Sequence, residues 1–237
     1  MKQYKILGPH EIGKGILIEE DAGYLSPLDK LNESILKEAQ ERDYKKPFEF
    51  YAVLQKFNTP NRNGRFYPEN ILKREAEKYR KTIQKGLSTS ELNHPESSLI
   101  DLDRVSHLIT DIWWEGNVLM GKLKLLTSPG FHESGIVSTK GDIAANLMRQ
   151  GVTMGVSSRG VGSLKKIGER NEVQDDFELI CFDLVSSPST PGAYLFPNVE
   201  DRLKYEENLE EEKIVGLSSA GNKSIDLMKK LTDYLGR

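Results

Sequence analysis

Apolar and polar positions divide the chain into three zones. The central region, residues 47–197, alternates between strand-like and helix-like patterns, whereas residues 1–46 and 198–237 are highly charged and carry only short apolar stripes. Because a core needs sustained apolar periodicity, we expect the central region to be the folded domain. We interpret residues 1–46 as an N-terminal tail or propeptide with one amphipathic helix. Residues 198–237 read as an acidic linker followed by an amphipathic C-terminal tail.

Strand-like runs dominate the central region. FEFYAVLQKF (48–57) is rich in aromatic and aliphatic residues, and the runs 104–114 and 118–126 flank Glu115-Gly116-Asn117, which is a hairpin signal. Two further runs, 152–164 and 172–186, are joined by the turn sequence KKIGERN. These runs predict a mostly antiparallel sheet structure.

Helical periodicity appears at fewer places. In the first flank, Ser26 and Pro27 open the amphipathic stretch. In the centre, Pro68 starts a predicted helix that continues to about Lys85, and Asp142 is expected to cap a helix that stops at Gly151. The fold class that follows is α+β, with a small barrel as one possible arrangement of the strands.

Composition narrows the classes of partner. The chain has 237 residues, 37% hydrophobic and 29% charged, with a net charge of −3, so no positive field points to nucleic acid or to an anionic membrane. No apolar run reaches the ~20 residues that span a bilayer, and the N-terminus has no continuous apolar signal region. A single cysteine, Cys181, is typical of a reducing compartment and leaves no disulfide framework. We therefore expect a cytoplasmic protein that binds neither nucleic acid nor membrane.

The stretch MGVSSRGVGS (154–163) raises the question of a nucleophile. In a strand, Ser157 shares a face with Arg159, whereas Ser158 shares the other face with the core-like Met154 and Val156. Ser157 is therefore the better placed hydroxyl, and Arg159 could anchor an acid or polarise a carbonyl oxygen. The alternative, which the stretch alone favours, is a glycine-rich edge strand with solvent-facing serines.

A serine nucleophile needs a base and a group that orients the base. His94, in the polar loop sequence LNHP, is the candidate base, although an exposed loop histidine is the simpler interpretation. Asp183 lies among apolar residues in ICFDLVSSPST and should be buried, so it needs a partner such as an imidazole. The alternative for Asp183 is a carboxylate that caps the turn beginning at Ser186.

Other chemistries fit less well. A metal site could draw on His94, Asp101, Asp103 and His107, but this spacing matches no familiar ligand pattern. The glycines do not form a phosphate-binding loop or a dinucleotide fingerprint, and the apolar surroundings of Cys181 disfavour a reactive thiol. We expect no metal and no cofactor.

The order of motifs resembles a known family. NGRFYP, a helix, LNHP, a hairpin, GVSSRGVGS and FDLVSSPSTPGA follow one another as in the prohead core proteases of T-even-type tailed phages. These proteases belong to the same broad group as the herpesvirus assemblin, or maturation, proteases. The resemblance covers about residues 48–197 and implies a herpesvirus-protease-like, barrel-like β core with flanking helices.

The resemblance implies a serine endopeptidase with His94, Ser157 and Asp183 as its triad, of which related lineages vary the Asp183 position. Backbone N–H groups of Ser158, Arg159 and Gly160 are the candidates for oxyanion or substrate binding. Implied substrates are scaffold, or core, proteins and major capsid proteins inside the phage prohead, within the host cytoplasm. The oligomeric state stays open, with a homo-oligomer as one alternative.

The family tends to cut after a glutamate that follows Leu or Ile by two residues. The flanking zones contain such triplets, which predict a zymogen that trims its own tails, although Leu and Glu are common enough for chance matches. The triplets are Leu17-Ile18-Glu19, Leu31-Asn32-Glu33, Leu36-Lys37-Glu38 and Leu209-Glu210-Glu211.

Two other functions remain open. The chain could be a non-enzymatic capsid-assembly or scaffold-binding protein whose serines serve only backbone geometry, or a hydrolase of another bond, such as an esterase.

Overall fold

A computed structural model describes residues 4–8, 11–19, 48–198 and 200–203. A compact unit ends at Asn198, and residues 200–203, which belong to the second unit, are helical. The amphipathic stretch expected after Ser26 and the C-terminal tail lie outside the described residues. None of the helices in the described ranges is long and apolar enough to cross a membrane.

The first sheet is built around the serine-containing strand, which pairs with three others. Its order is β1-β2-β8-β9-β4, and β10 also pairs with β8. The strands are β1 Ile6–Leu7, β2 Gly13–Ile18, β4 Arg65–Phe66, β8 Gly155–Ile167, β9 Arg170–Val173 and β10 Glu178–Val185. Residues 159–161 of β8 lie between β2 and β10, and both of these neighbours are antiparallel to β8.

The second sheet has the order β11-β3-β7-β6-β5. Its strands are β3 Glu49–Lys56, β5 Thr89–Glu91, β6 Val105–Glu115, β7 Val118–Leu125 and β11 Leu195–Phe196. The predicted hairpin is β6–β7, and its turn contains Gly116 at φ +58°, a conformation that favours glycine. The predicted strand at 48–57 is β3.

The α+β class is confirmed, but the expected barrel is not what the described residues form. They form two open sheets, which are joined by single bridges between Leu92 and Leu184 and between Gly155 and Tyr194. The second sheet ends at β5 and β11, which are three and two residues long, and the first sheet ends at β1 and β4, which are two residues long each.

The described residues of the first unit contain three α-helices: α1 Glu69–Gln84, α2 Pro129–Ser134 and α3 Lys140–Arg149. Pro68 is the N-cap of α1, as the sequence predicts. In α3 the N-cap is Thr139, and Asp142 is the third helical residue of a reciprocal capping box. The expectation that Asp142 is the cap was wrong because the apolar periodicity begins only at Ile143, one turn after the helix itself begins.

The N-terminal segment contributes to the first sheet. Residues 6–7 and 13–18, placed by their charge in the N-terminal tail, form β1 and β2, and β2 pairs with β8 from Gly13–Leu164 to Ile18–Arg159. Leu7 and Leu17 are 1% and 0% exposed and belong to a cluster with Tyr67 and Phe177. These apolar runs are too short to predict a strand. Their burial depends on a groove beside β8 that Tyr67, Leu164 and Phe177 of the central region line.

Candidate active site

The pairing of β8 with β10 places Ser157 directly opposite Asp183. Residues opposite each other in an antiparallel pair have side chains on the same face, separated by one strand spacing. Both residues are buried, at 1% and 0% exposure. The register therefore brings two of the three candidate residues to one face of the first sheet.

The LNHP loop brings His94 to the same face. The bridge between Leu92 and Leu184, together with the Asn93 N–H that donates to the Leu184 carbonyl at 2.8 Å, holds the loop against β10. Asn93 has φ +65°, a left-handed conformation that asparagine tolerates, and this turns the chain towards Asp183. His94 Nδ1 lies 2.7 Å from Asp183 Oδ2, and the His94 side chain is 1% exposed.

Asp183 is held as a carboxylate by several donors. It accepts from the Glu91 N–H at 2.9 Å, and Arg159 Nε lies 2.9 Å from its Oδ2. Burial alone would raise the pKa of Asp183, but the hydrogen bond and charge of His94, the charge of Arg159 and the Glu91 N–H together lower it below its ordinary value. The acid is thus ionised when it faces the imidazole.

Two polar atoms of this cluster have no hydrogen-bond partner among the described residues. Ser157 Oγ and His94 Nε2 are both buried and unpaired, and these are the atoms that a serine–histidine proton transfer would join. Neither atom has to give up another hydrogen bond within the described residues before such a transfer.

Ser158 faces the opposite side of β8. Its Oγ accepts a hydrogen bond from Gln55 Nε2 of β3 at 3.0 Å, and Gln55 Oε1 accepts from Thr190 Oγ1 at 2.8 Å. The Ser158 hydroxyl is therefore engaged between the two sheets. The next glycine, Gly160, is required by packing, since a Cβ there would come within 2.4 Å of the Phe177 ring.

The Arg159 side chain is fully buried behind Asp183. Besides the carboxylate it contacts the Cys181 sulfur at 3.2–3.3 Å, the Ser97 carbonyl at 2.9 Å and Glu91 Oε2 at 3.5 Å. Of its two expected roles, the geometry corresponds to anchoring an acid. Glu91, itself 0% exposed, was missed from the sequence, because ELNHP reads as an ordinary polar loop.

Replacing Arg159 by Met should lower the free energy of unfolding by about 3 kcal/mol, because two buried carboxylates lose their shared cation. Urea unfolding measures this loss. The matched control is Lys165→Met on the exposed end of β8, where we expect little change. Equal stability of the two variants would contradict the anchoring role.

His107 and His132 do not join the cluster around Ser157, whereas the Cys181 thiol donates to Asp183 Oδ1 at 3.3 Å. Both ring nitrogens of His107 have partners, Ser106 Oγ at 2.9 Å and the Phe182 carbonyl at 2.8 Å, and burial lowers the pKa of His107 to about 4. His132 Nε2 lies 2.7 Å from Thr127 Oγ1, and His10 lies outside the described residues. Burial raises the pKa of the Cys181 thiol well above its usual range. Within the described ranges, no group of three or more His, Cys, Asp or Glu residues is arranged to hold a metal ion.

A second buried polar cluster lies beside β8 and was also missed as a site. At its centre is Glu19, 0% exposed, which forms an ion pair with Arg65 at 2.9 Å. The loop that provides Arg65 was predicted only as a turn around Asn63-Gly64. In the sequence, the feature that could have indicated a site here was the glutamate of the Leu17-Ile18-Glu19 triplet.

Comparisons with known proteins agree with the resemblance seen in the sequence. A family model described as prohead core protein serine protease matches residues 19–203. The chain is 34% identical over 149 residues to the prohead core protein protease of Enterobacteria phage T4, an alignment that covers 62% of this chain and 66%, just under two thirds, of that relative.

A solved structure supports the same fold. The bacteriophage T4 capsid assembly protease, gp21, aligns with a TM-score of 0.55 at 24% sequence identity, over 74% of this chain and 94% of that chain. At this identity the likeness concerns the fold.

Proposed function

The chain belongs to the prohead core protein serine protease family, and we propose that it is a serine endopeptidase that processes scaffold and capsid proteins during phage head maturation. The observation that carries the proposal is the contact of 2.7 Å between His94 Nδ1 and Asp183 Oδ2 beside Ser157. A buried imidazole held on one nitrogen by a carboxylate, with its other nitrogen unpaired, is suited to take a proton from a neighbouring hydroxyl.

The proposed mechanism is acyl transfer. Ser157 Oγ attacks the scissile carbonyl carbon while His94 Nε2 takes its proton, and Asp183 stabilises the imidazolium. His94 then gives the proton to the leaving amine, and water, deprotonated by the same imidazole, hydrolyses the acyl-enzyme. Backbone N–H groups of Ser158, Arg159 and Gly160 are the proposed oxyanion donors.

Partners and location follow from the family. We propose scaffold, or core, and major capsid proteins as substrates, cut after Glu in Leu/Ile-x-Glu sequences, and the interior of the prohead in the host cell as the location. Kinship with the herpesvirus maturation proteases stays a prediction, as does a homo-oligomeric state.

The proposal includes removal of the chain's own tails. Mass spectrometry of the expressed protein should show fragments that lack N-terminal residues and the segment after residue 198, with new ends at Leu-x-Glu triplets. The Ser157→Ala chain should stay at its full mass. Intact tails in a preparation that cleaves scaffold protein would contradict self-processing.

A further inference from the structure

The buried carboxylate of Glu19 accepts more hydrogen bonds than it would need simply to hold the end of β2 in the sheet. Five side chains donate to its two oxygens at 2.5–3.2 Å: Asn61, Asn63, Arg65, Tyr67 and Ser189. A buried carboxylate is costly unless it is both paired and fully hydrogen-bonded, and this pocket supplies one cation and four neutral donors. The pocket is thus built for a carboxylate.

The pocket is formed by the loop that contains the NGRFYP motif and by the end of the FDLVSSPSTPGA motif, beyond the Asp183 that the triad uses. Four of the donors come from the loop 61–67 (NRNGRFY), and the fifth, Ser189, comes from the SSPST sequence after β10. Burial and the nearby Glu19 charge raise the pKa of Tyr67 well above its usual range, so its hydroxyl is a permanent donor at neutral pH.

The residues before Glu19 occupy the groove as an extended peptide. Leu17 and Glu19 are both 0% exposed, whereas Ile18 between them is only half-buried. Leu17 packs in the cluster that contains Tyr67 and Phe177. A buried leucine and a buried glutamate, separated by one half-buried residue, match the Leu-x-Glu pattern, in which the first and third positions are recognised and the second is variable.

The segment also runs towards the candidate nucleophile. Ile18 pairs with Arg159 on β8, and the next two positions of β8 in that direction are Ser158 and Ser157. The Glu19 carbonyl oxygen accepts from the Ser189 N–H at 2.9 Å, which holds the main chain of Glu19 in place at the end of β2.

We infer that this pocket is the subsite for the glutamate on the acyl side of the scissile bond, and that the chain fills it with its own Leu17-Ile18-Glu19. The inference rests on the proposed function. Ser157 Oγ bonds to the Glu19 carbonyl carbon, the Glu19–Glu20 C–N bond breaks, and the amine of Glu20 leaves with the proton from His94. Water then hydrolyses the ester and releases Glu19 with a free main-chain carboxylate. Departure of β2 leaves the same edge of β8 to substrates supplied in trans.

The first test follows the chain's own cut. N-terminal mass spectrometry of the full chain should find a product that begins at Glu20, and Glu19→Gln should slow its formation about 100-fold, because a neutral amide leaves the Arg65 charge unpaired. The matched control is Glu11→Gln, an exposed glutamate of the same segment, which should cut like the natural chain. Equal cutting in both variants overturns the cis assignment.

The second test measures specificity with peptides. The processed chain should prefer a Leu-x-Glu peptide to its Leu-x-Gln counterpart, and Arg65→Met should reduce the ratio of the two kcat/KM values about 100-fold. Tyr67→Phe, which removes one hydroxyl and keeps the packing, should reduce it about tenfold. Tyr51→Phe, on β3 in contact with Trp113, is the matched control. Both peptides are measured on one sample, so loss of folded protein does not change the ratio.

The outcomes separate this inference from the proposed function. Ser157-dependent cleavage with an unchanged Glu-to-Gln ratio in Tyr67→Phe and Arg65→Met overturns the pocket and leaves the protease standing. Absence of cleavage of any peptide or scaffold protein overturns both.

Discussion

Replacing Ser157 by Ala should lower kcat/KM for scaffold cleavage by about 10⁴-fold or more, because the acyl-enzyme can no longer form. His94→Ala should have an effect of the same order, since the hydroxyl then lacks its base. The two losses should not add in the double variant, because residues that act as a unit fail together. Co-expression with a candidate scaffold protein, followed by electrophoresis and mass spectrometry, measures the cleavage.

Ser158→Ala is the matched control because it removes the neighbouring hydroxyl from the same strand. Its Oγ accepts from Gln55 between the two sheets, so we expect a loss of about 1–2 kcal/mol in the free energy of unfolding, with cleavage retained. The reverse result, cleavage lost in Ser158→Ala and kept in Ser157→Ala, would reassign the nucleophile. Cleavage by none of the chains, the natural one included, would favour a non-enzymatic assembly protein.

Asp183→Asn should lower kcat by about 10⁴-fold while the fold is retained, because an amide can no longer stabilise the imidazolium or select the required tautomer of His94. The Cα register with Ser157 is a main-chain property and should persist. Steady-state kinetics on a peptide substrate measures the change. Asp175→Asn, with a side chain that is 85% exposed, is the control and should keep full activity. An Asp183→Asn chain with natural kcat would remove Asp183 from the triad.

The same variant has a signature in acid. The folded pKa of Asp183 is lowered, so its carboxylate contributes stability at pH values above its ordinary pKa, and this contribution is lost as the pH falls through the lowered folded pKa. The natural chain should therefore lose stability below a pH of about 4, and Asp183→Asn should lack this part of the loss. Urea unfolding at several pH values would show it.

Local pattern was enough to predict several elements. Runs of aliphatic and aromatic residues bounded by turn signals predict β3, the β6–β7 hairpin and most of β8. Strand alternation also separates Ser157 from Ser158, since adjacent residues of a strand point to opposite faces. The run 172–186, predicted as one strand, contains the end of β9 and all of β10, and the break between them was missed because residues 174–177 include no glycine or proline.

The sequence by itself determined which hydroxyl shares a face with Arg159 and which faces the core, because strand alternation is a local property of the backbone. Only the tertiary structure decided what those faces meet. His94 and Asp183 are 89 residues apart along the chain, and the partners of Glu19 are more than 40 residues from it. Burial of β2 likewise needs the groove beside β8, which forms only when the central region has folded. The triplet Leu17-Ile18-Glu19 occupies the carboxylate pocket because of pairing between distant parts of the chain, which residue type alone does not predict.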